Sequence, residues 1–214
     1  MTLLLLIRHG VTTATGTRLV GWTPGIRLSE DGRAQAEALR DRLAGTRIDG
    51  VYASPLERCR ETARPLAADR RLPVRIRREL GEIDFGTWTD RPMRQLARTK
   101  LWRRVQQVPS RVRFPDGESF LTARTRIVGA LEAVAAEHPR HVIAVCSHAD
   151  AIKLALAEYA GVHLDAFQRL VIDPASVSAV ALDGGVPRIL RVNDTGSLAS
   201  LAPRSRSSRR EVGD

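Results

Sequence analysis

Lysine, cysteine and aromatic residues are scarce in this 214-residue chain. Lys100 and Lys153 are the only lysines, so nearly all positive charge is arginine. Two cysteines, Cys59 and Cys146, cannot build a disulfide framework and lack metal-ligand spacing. They read as free thiols of a reducing compartment. Aromatic residues make up 4% of the chain, which leaves little surface for stacking bases. Long apolar runs are missing as well. Leu3–Ile7 is cut off by Arg8 and His9, too short for a signal-peptide core or a membrane span. A soluble, cytoplasmic protein without a membrane partner is expected.

What is present is charge and a core. Hydrophobic residues are 43% of the total, enough to bury a sizeable interior. The net charge is +10, which raises nucleic acid as a partner. Its distribution argues otherwise. From Arg58 to Arg126 there are 17 Arg and one Lys against eight acids, and the rest of the chain is neutral, 16 against 16. No helix-turn-helix or RNA-binding signature accompanies the basic stretch, so no nucleic-acid partner is expected. A solvated basic face that draws in anionic small molecules fits equally well.

Three strand–helix units organise the chain. Leu3–Ile7 reads as a strand buried on both faces. Asp49–Ala53 is followed by a helix from Pro55 to about Ala68, with Ser54 as N-cap and Pro55 in the first turn. Val142–Cys146 is followed by a helix that Gly161 stops after Tyr159. Ser29 caps a further helix whose apolar stripe is Ala34, Ala38, Leu39 and Leu43. A helix over 119–137 turns Leu121, Ile127, Val128, Leu131, Val134 and Ala135 inward. Residues 176–182 and 188–192 flank a hairpin turn at Asp183-Gly184-Gly185. The alternation predicts a three-layer α/β/α sandwich with a mostly parallel sheet. One catalytic domain spans 1–195, with a helical and loop insertion or lid at 87–118 over the active site. A disordered Arg/Ser-rich tail follows at 196–214.

Polar residues at the carboxyl ends of strands in an open α/β sheet face one crevice. Three such ends carry Arg8-His9-Gly10, Ser54 to Arg58, and Ser147-His148. Two histidines, two arginines and helix N-termini suit a phosphoryl group. A neutral histidine is a competent nucleophile towards phosphorus.

These residues resemble the histidine phosphatase superfamily, in its phosphoglycerate-mutase-like branch. Leu6-Ile7-Arg8-His9-Gly10 with Thr12 is similar to its Arg-His-Gly block. Ser54-Pro55-Leu56-Glu57-Arg58-Cys59-Arg60-Glu61-Thr62 resembles the second block. Leu80 to Trp88 resembles the acid-bearing block, Val145 to His148 the second-histidine block, and Leu28 to Ala36 the intervening helix. Segments around Val20–Gly25, Asp173–Ser178 and Leu190–Gly196 further resemble a subgroup of actinobacterial proteins labelled phosphomutases.

The resemblance implies roles. His9 is the nucleophile that forms a phosphohistidine, Arg8 and Arg58 clamp the phosphoryl oxygens, and His148 contacts them and stabilises charge. Glu82 is the general acid, then the general base. From spacing alone, Glu79 and Asp84 compete with it, since Glu82 and Asp84 share a face of an extended segment. Gly10, Thr12, Thr15, Gly21 and Trp22 are the substrate-binding candidates. Thr15 replaces a frequent asparagine, and Trp22 is also an ordinary packing residue. Asp150 reads as a helix cap or solvated carboxylate, and Cys59 as core. No metal and no cofactor are implied.

The activity expected is metal-independent hydrolysis of a small phosphorylated metabolite through phosphohistidine. A phosphoglycerate-type mutase is the alternative, since a mutase differs in returning the phosphoryl group to its substrate and holding it from water. A polyanion-binding protein is a third, weaker reading. No sequence feature sets the oligomeric state, and a dimer is compatible with it.

Overall fold

Thr2–Arg8 (β1) is apolar on both sides because it runs through the middle of the sheet. Successive side chains of a strand point to opposite faces. Leu4 and Leu6 enter one buried cluster, Leu5 and Ile7 the other. Two helical layers cover those faces, so the chain is a three-layer α/β/α sandwich. The structure, a computed structural model, describes residues 1–196.

The remaining elements, in order, are a short strand β2 (Arg18–Leu19), helix α1 (Glu30–Arg42), β3 (Gly50–Ala53), α2 (Glu57–Asp69) and β4 (Val74–Ile76). Next come β5 (Arg91–Pro92), α3 (Met93–Leu96), α4 (Lys100–Gln107), α5 (Phe120–Glu137), β6 (Val142–Ser147) and α6 (Ala149–Tyr159). The hairpin β7 (Val177–Leu182) and β8 (Arg188–Asp194) ends the sheet. Strand order is β4-β3-β6-β1-β7-β8. The first four strands are parallel, while β7 pairs antiparallel with β1 and with β8. Side chains of α1 and α2 pack on the Leu5/Ile7 face, and those of α5 and α6 on the Leu4/Leu6 face.

Three local expectations are corrected. Helix α2 starts two residues later than Ser54 predicts: Leu56 holds the N-cap position and no side chain caps it. The buried Ser54 hydroxyl is engaged elsewhere, by His148. In α1 the buried stripe is Gly32, Ala36, Leu39 and Leu43, while Ala34 and Ala38 face solvent. The register is set by Gly32, where a Cβ would stand 2.0 Å from the Val11 carbonyl. In α5 Leu121 is 49% exposed, because it sits about 100° around the helix from buried Phe120. The cap Ser29 is as expected, and Ser119 caps α5 in the same way, each hydroxyl accepting from the third residue on.

Residues 87–118 contribute Leu96, Val105, Val112 and Phe114 to the larger buried cluster. Strand β5 pairs with β2, tying this segment to the loop after β1. Apart from Gly196, the expected tail at 196–214 lies outside the described residues.

Candidate active site

The carboxyl ends of β1, β3 and β6 lie side by side, with Arg8 opposite Ser147 and Ala53 opposite Cys146. Beyond them the chain turns into the crevice. His9 is buried, and its Nδ1 lies 2.8 Å from the Gly10 carbonyl. A carbonyl only accepts, so Nδ1 carries the proton and Nε2 keeps its lone pair. Burial first, then the Arg58 charge, lower the His9 pKa to about 3. The ring is therefore neutral at physiological pH.

Arg58, in the first turn of α2, has no exposed surface. Its Nη2 donates to the Gly21 carbonyl at 2.9 Å and to His148 Nδ1 at 3.1 Å. Gly21 reaches this position with φ +49°, a conformation that favours glycine. Among the described residues, Arg58 Nε and Nη1 and Arg8 Nε are buried without a hydrogen-bond partner. Such orphan donors are costly unless an acceptor meets them, and an anion's oxygens do so. Arg8 is anchored by an Nη1 bond of 2.6 Å to the Ile172 carbonyl.

His148 is fully buried and meets His9 edge-on, with ring centroids 5.3 Å apart. Since Arg58 donates to Nδ1, the proton of neutral His148 is on Nε2, 2.8 Å from Ser54 Oγ. Burial, then Arg58 and His9, hold its pKa well below the usual value. Cys59 Sγ lies 3.4 Å from the same Nε2 and from the Ser147 carbonyl. Burial pushes its thiol up to about 12, so it remains a neutral packing group, as expected.

Of the three acids, only Glu82 lines the pocket of about 140 Å³ that contains Arg8, His9 and Arg58. Its Oε2 is 3.9 Å from His148 Nδ1, and its Oε1 accepts from the Ile83 amide at 2.9 Å. Glu79 and Asp84 line a separate depression with Trp22 and Arg126. Burial, then the Asp150 charge, raise the Glu82 pKa to about 7, against the pull of Arg58 and Arg8. A carboxyl poised there both gives and takes a proton near neutrality.

Thr12, Thr15 and Gly21 line the same pocket, the two threonine hydroxyls 3.0 Å apart. Gly10 sits behind it, its amide donating to Thr62 Oγ1. Trp22 does not line it. Its Nε1 donates to the Glu82 carbonyl at 2.7 Å and its ring lies against Gly81, where a Cβ would overlap it. It supports the acid-bearing segment from behind. A larger depression of about 560 Å³ at the opposite end of the strands has neither histidine nor arginine in its lining.

The profile of the histidine phosphatase superfamily (branch 1) matches residues 4–195. The chain belongs to that superfamily. It is similar to phosphoserine phosphatase 1 of Hydrogenobacter thermophilus, 30% identical over 94% of this chain and 96% of the relative. The adenosylcobalamin/alpha-ribazole phosphatase of Escherichia coli is 31% identical over 84% of this chain and 90% of that protein. Among solved structures, Bacillus stearothermophilus YhfR superposes with a TM-score of 0.85 at 25% identity, covering 91% of this chain and 98% of its own. The sheet and its helical layers are those of this superfamily.

Sequence reasoning missed several residues of this histidine-phosphatase site. Ser54 was expected as a cap and instead bonds His148. Asp150 was expected as a cap or solvated carboxylate. It pairs with Lys153 at 3.4 Å and its charge reaches Glu82. Arg126 was expected on a basic face and instead binds backbone carbonyls of the acid segment. Leu19, Phe85 and Met93 complete the pocket wall. Leu19, Met93 and Arg126 carry no local sequence signal, because each is brought in from a distant element, whereas Ser54, Phe85 and Asp150 lie beside motif residues and only their contacts were not legible.

Proposed function

We propose that the chain hydrolyses phosphomonoesters of small metabolites without a metal, by way of a phosphohistidine at His9. The observation that carries this is the His9 tautomer: Nδ1–H is committed to Gly10, and the Nε2 lone pair shares a pocket with Arg8, Arg58 and Glu82. Nε2 attacks phosphorus and forms the P–N bond while the P–O bond to the alcohol breaks. Glu82 gives its proton to the departing oxygen. Water then attacks the phosphohistidine, its proton passes to the Glu82 carboxylate, and phosphate leaves with His9 neutral again.

Arg8 and Arg58 hold the phosphoryl oxygens with charge-assisted hydrogen bonds from their partnerless nitrogens. The incoming dianion favours the proton on Glu82, since like charge opposes a carboxylate. His148, its Nδ1 accepting from Arg58 and its Nε2 donating to Ser54, stabilises charge by holding Arg58 against the phosphoryl group. Thr12, Thr15 and Gly21 contact substrate beside the phosphoryl group. Residues 1–195 act as one catalytic domain, with 87–118 as its substrate-side wall. Two buried free thiols agree with a cytoplasmic site of action. Among the described residues no helix is long and apolar enough to cross a membrane.

Water as final acceptor, rather than a second position on the substrate, is supported by the phosphatase names of both relatives. The test is a panel of phosphorylated metabolites with separate assays for released phosphate and for isomerised product. Released phosphate that survives chelation is expected. Isomer without phosphate overturns the reading in favour of a mutase. Activity lost on chelation and restored by magnesium overturns the metal-free step.

A further inference from the structure

The nine aromatic rings of this chain are not spread through it. Five of them, Phe85, Trp88, Trp102, Phe114 and Phe120, line one cavity of about 250 Å³ beside the catalytic pocket. Leu19, Phe85 and Met93 line both spaces, so the two adjoin. The rings are arranged as a box. Trp88 stacks on Trp102 at 6.2 Å, Phe114 meets Trp88 edge-on at 5.5 Å, and Phe85 meets Phe114 edge-on at 5.0 Å.

Core packing explains Trp88, Phe114 and Phe120, each under 5% exposed. It does not explain the cavity. Trp102, Leu19 and Met93 are only half-buried, and the same space is lined by Asp150, Lys153 and Gln168. Lys153 Nζ lies 3.2 Å from Gln168 Oε1 and 3.4 Å from Asp150. Apolar walls with a few convergent polar groups are what a small-molecule site has, and a closed core lacks. The wall comes mainly from α3, α4, α6 and the segment leading to α5, and it meets the catalytic pocket at Leu19, Phe85 and Met93.

We infer that this cavity is a leaving-group site, and that the preferred substrates are phosphomonoesters of alcohols bearing an aromatic or similarly flat apolar body. The phosphoryl group sits on Arg8 and Arg58, and the body lies among Trp88, Trp102 and Phe85. Offset and edge-on ring contacts favour a flat group there beyond simple burial. Polar substituents at its far end meet Lys153 and Gln168. This rests on the phosphomonoester reading for the identity of the anion, and not on turnover.

Binding and turnover are therefore measured separately. Tryptophan fluorescence of the full chain is titrated with two non-hydrolysable phosphonates, 2-(1-naphthyl)ethylphosphonate and ethylphosphonate. The naphthyl probe is expected to bind about tenfold tighter or more, the discrimination one well-filled apolar pocket gives. In Trp102→Ala, and independently in Gln168→Leu against a naphthyl probe bearing a ring hydroxyl, that ratio falls towards one. Equal affinity of the two simple probes in the native chain, or an unchanged ratio in Trp102→Ala, overturns the inference. Hydrolysis of the matching phosphate esters is assayed in parallel. Selective binding without phosphate release sinks the hydrolase reading and leaves the site standing. Hydrolysis of both esters with equal binding sinks the site alone.

Discussion

Arg126 Nη2 donates to the backbone carbonyl of Glu82 at 3.2 Å, while its Nη1 holds the carbonyls of Glu79 at 2.6 Å and Gly81 at 3.2 Å. Glu118 pairs with the same guanidinium at 2.5 Å and also accepts from the Asp84 amide. With Trp22 on the Glu82 carbonyl, one helix and one loop clamp the whole acid-bearing segment. The clamp touches main chain only, so it sets where Glu82 stands without touching its carboxyl.

Arg126→Ala is expected to lower kcat on alkyl phosphates by about ten- to a hundredfold, the order of loss that follows a misplacement near 1 Å. Aryl phosphates, whose leaving groups need little protonation, lose much less. Lysine does not restore the rate, because a point charge cannot serve three carbonyls and a carboxylate as the planar guanidinium does. Equal losses on both substrate types, with unchanged folding, would show that the clamp does not act through Glu82.

Glu82→Gln removes the proton donor and retains the shape. Alkyl ester hydrolysis is expected to fall by about 10² or more, and aryl ester hydrolysis by far less. With native enzyme, kcat/KM for alkyl esters falls as pH rises through about 7, where Glu82 loses its proton. The variant lacks that limb, and a limb that persists in it assigns the titration to another group.

His9→Ala is expected to abolish the acid-labile, alkali-stable phosphoenzyme trapped by alkaline quenching with radiolabelled substrate. Phosphorylated protein that still accumulates excludes His9 as nucleophile. Arg58→Ala leaves His148 Nδ1 without its donor and removes two phosphoryl contacts, so it raises KM and lowers kcat together.

Stability and pH separate the buried histidine from the buried acid. The folded pKa of His9 is about 3, below its ordinary value of 6.5. The unfolded chain thus binds the extra proton between those values, and His9 costs stability as pH falls through that window. At pH 5 this amounts to about 2 kcal/mol relative to pH 7. Glu82 acts in the opposite sense, since its folded pKa is raised from 4.5 to about 7 and its contribution is lost as pH rises through that range. His9→Gln is therefore expected to flatten the loss of stability between pH 7 and 5, and Glu82→Gln to steepen it. Urea denaturation at the two pH values reads both signs.

Much of this molecule is legible in its sequence because its logic is local. A five-residue apolar run requires a central strand. Arg8, His9 and His148 stand within one or two residues of a strand end, and Arg58 in the first turn of the next helix, so sheet geometry alone carries them to one crevice. The choice among Glu79, Glu82 and Asp84 is not local. They lie within six residues on an irregular segment, and only Arg126, Trp22 and Ser147, whose hydroxyl bonds the Leu80 carbonyl, decide which one faces the pocket. Ser54 has the right sequence for a helix cap, yet a buried histidine imposes a stronger demand on its hydroxyl.

The scarce residues divide in the same way. By itself the sequence determined a parallel α/β core, two free thiols, and a phosphoryl-binding set at three strand ends, since each follows from periodicity, count or adjacency. Only the tertiary structure decided that five of nine aromatic rings gather in one cavity, and that an arginine of the basic stretch serves the backbone. Those contacts join residues dozens of positions apart, and sequence spacing holds no information about which distant surfaces will meet.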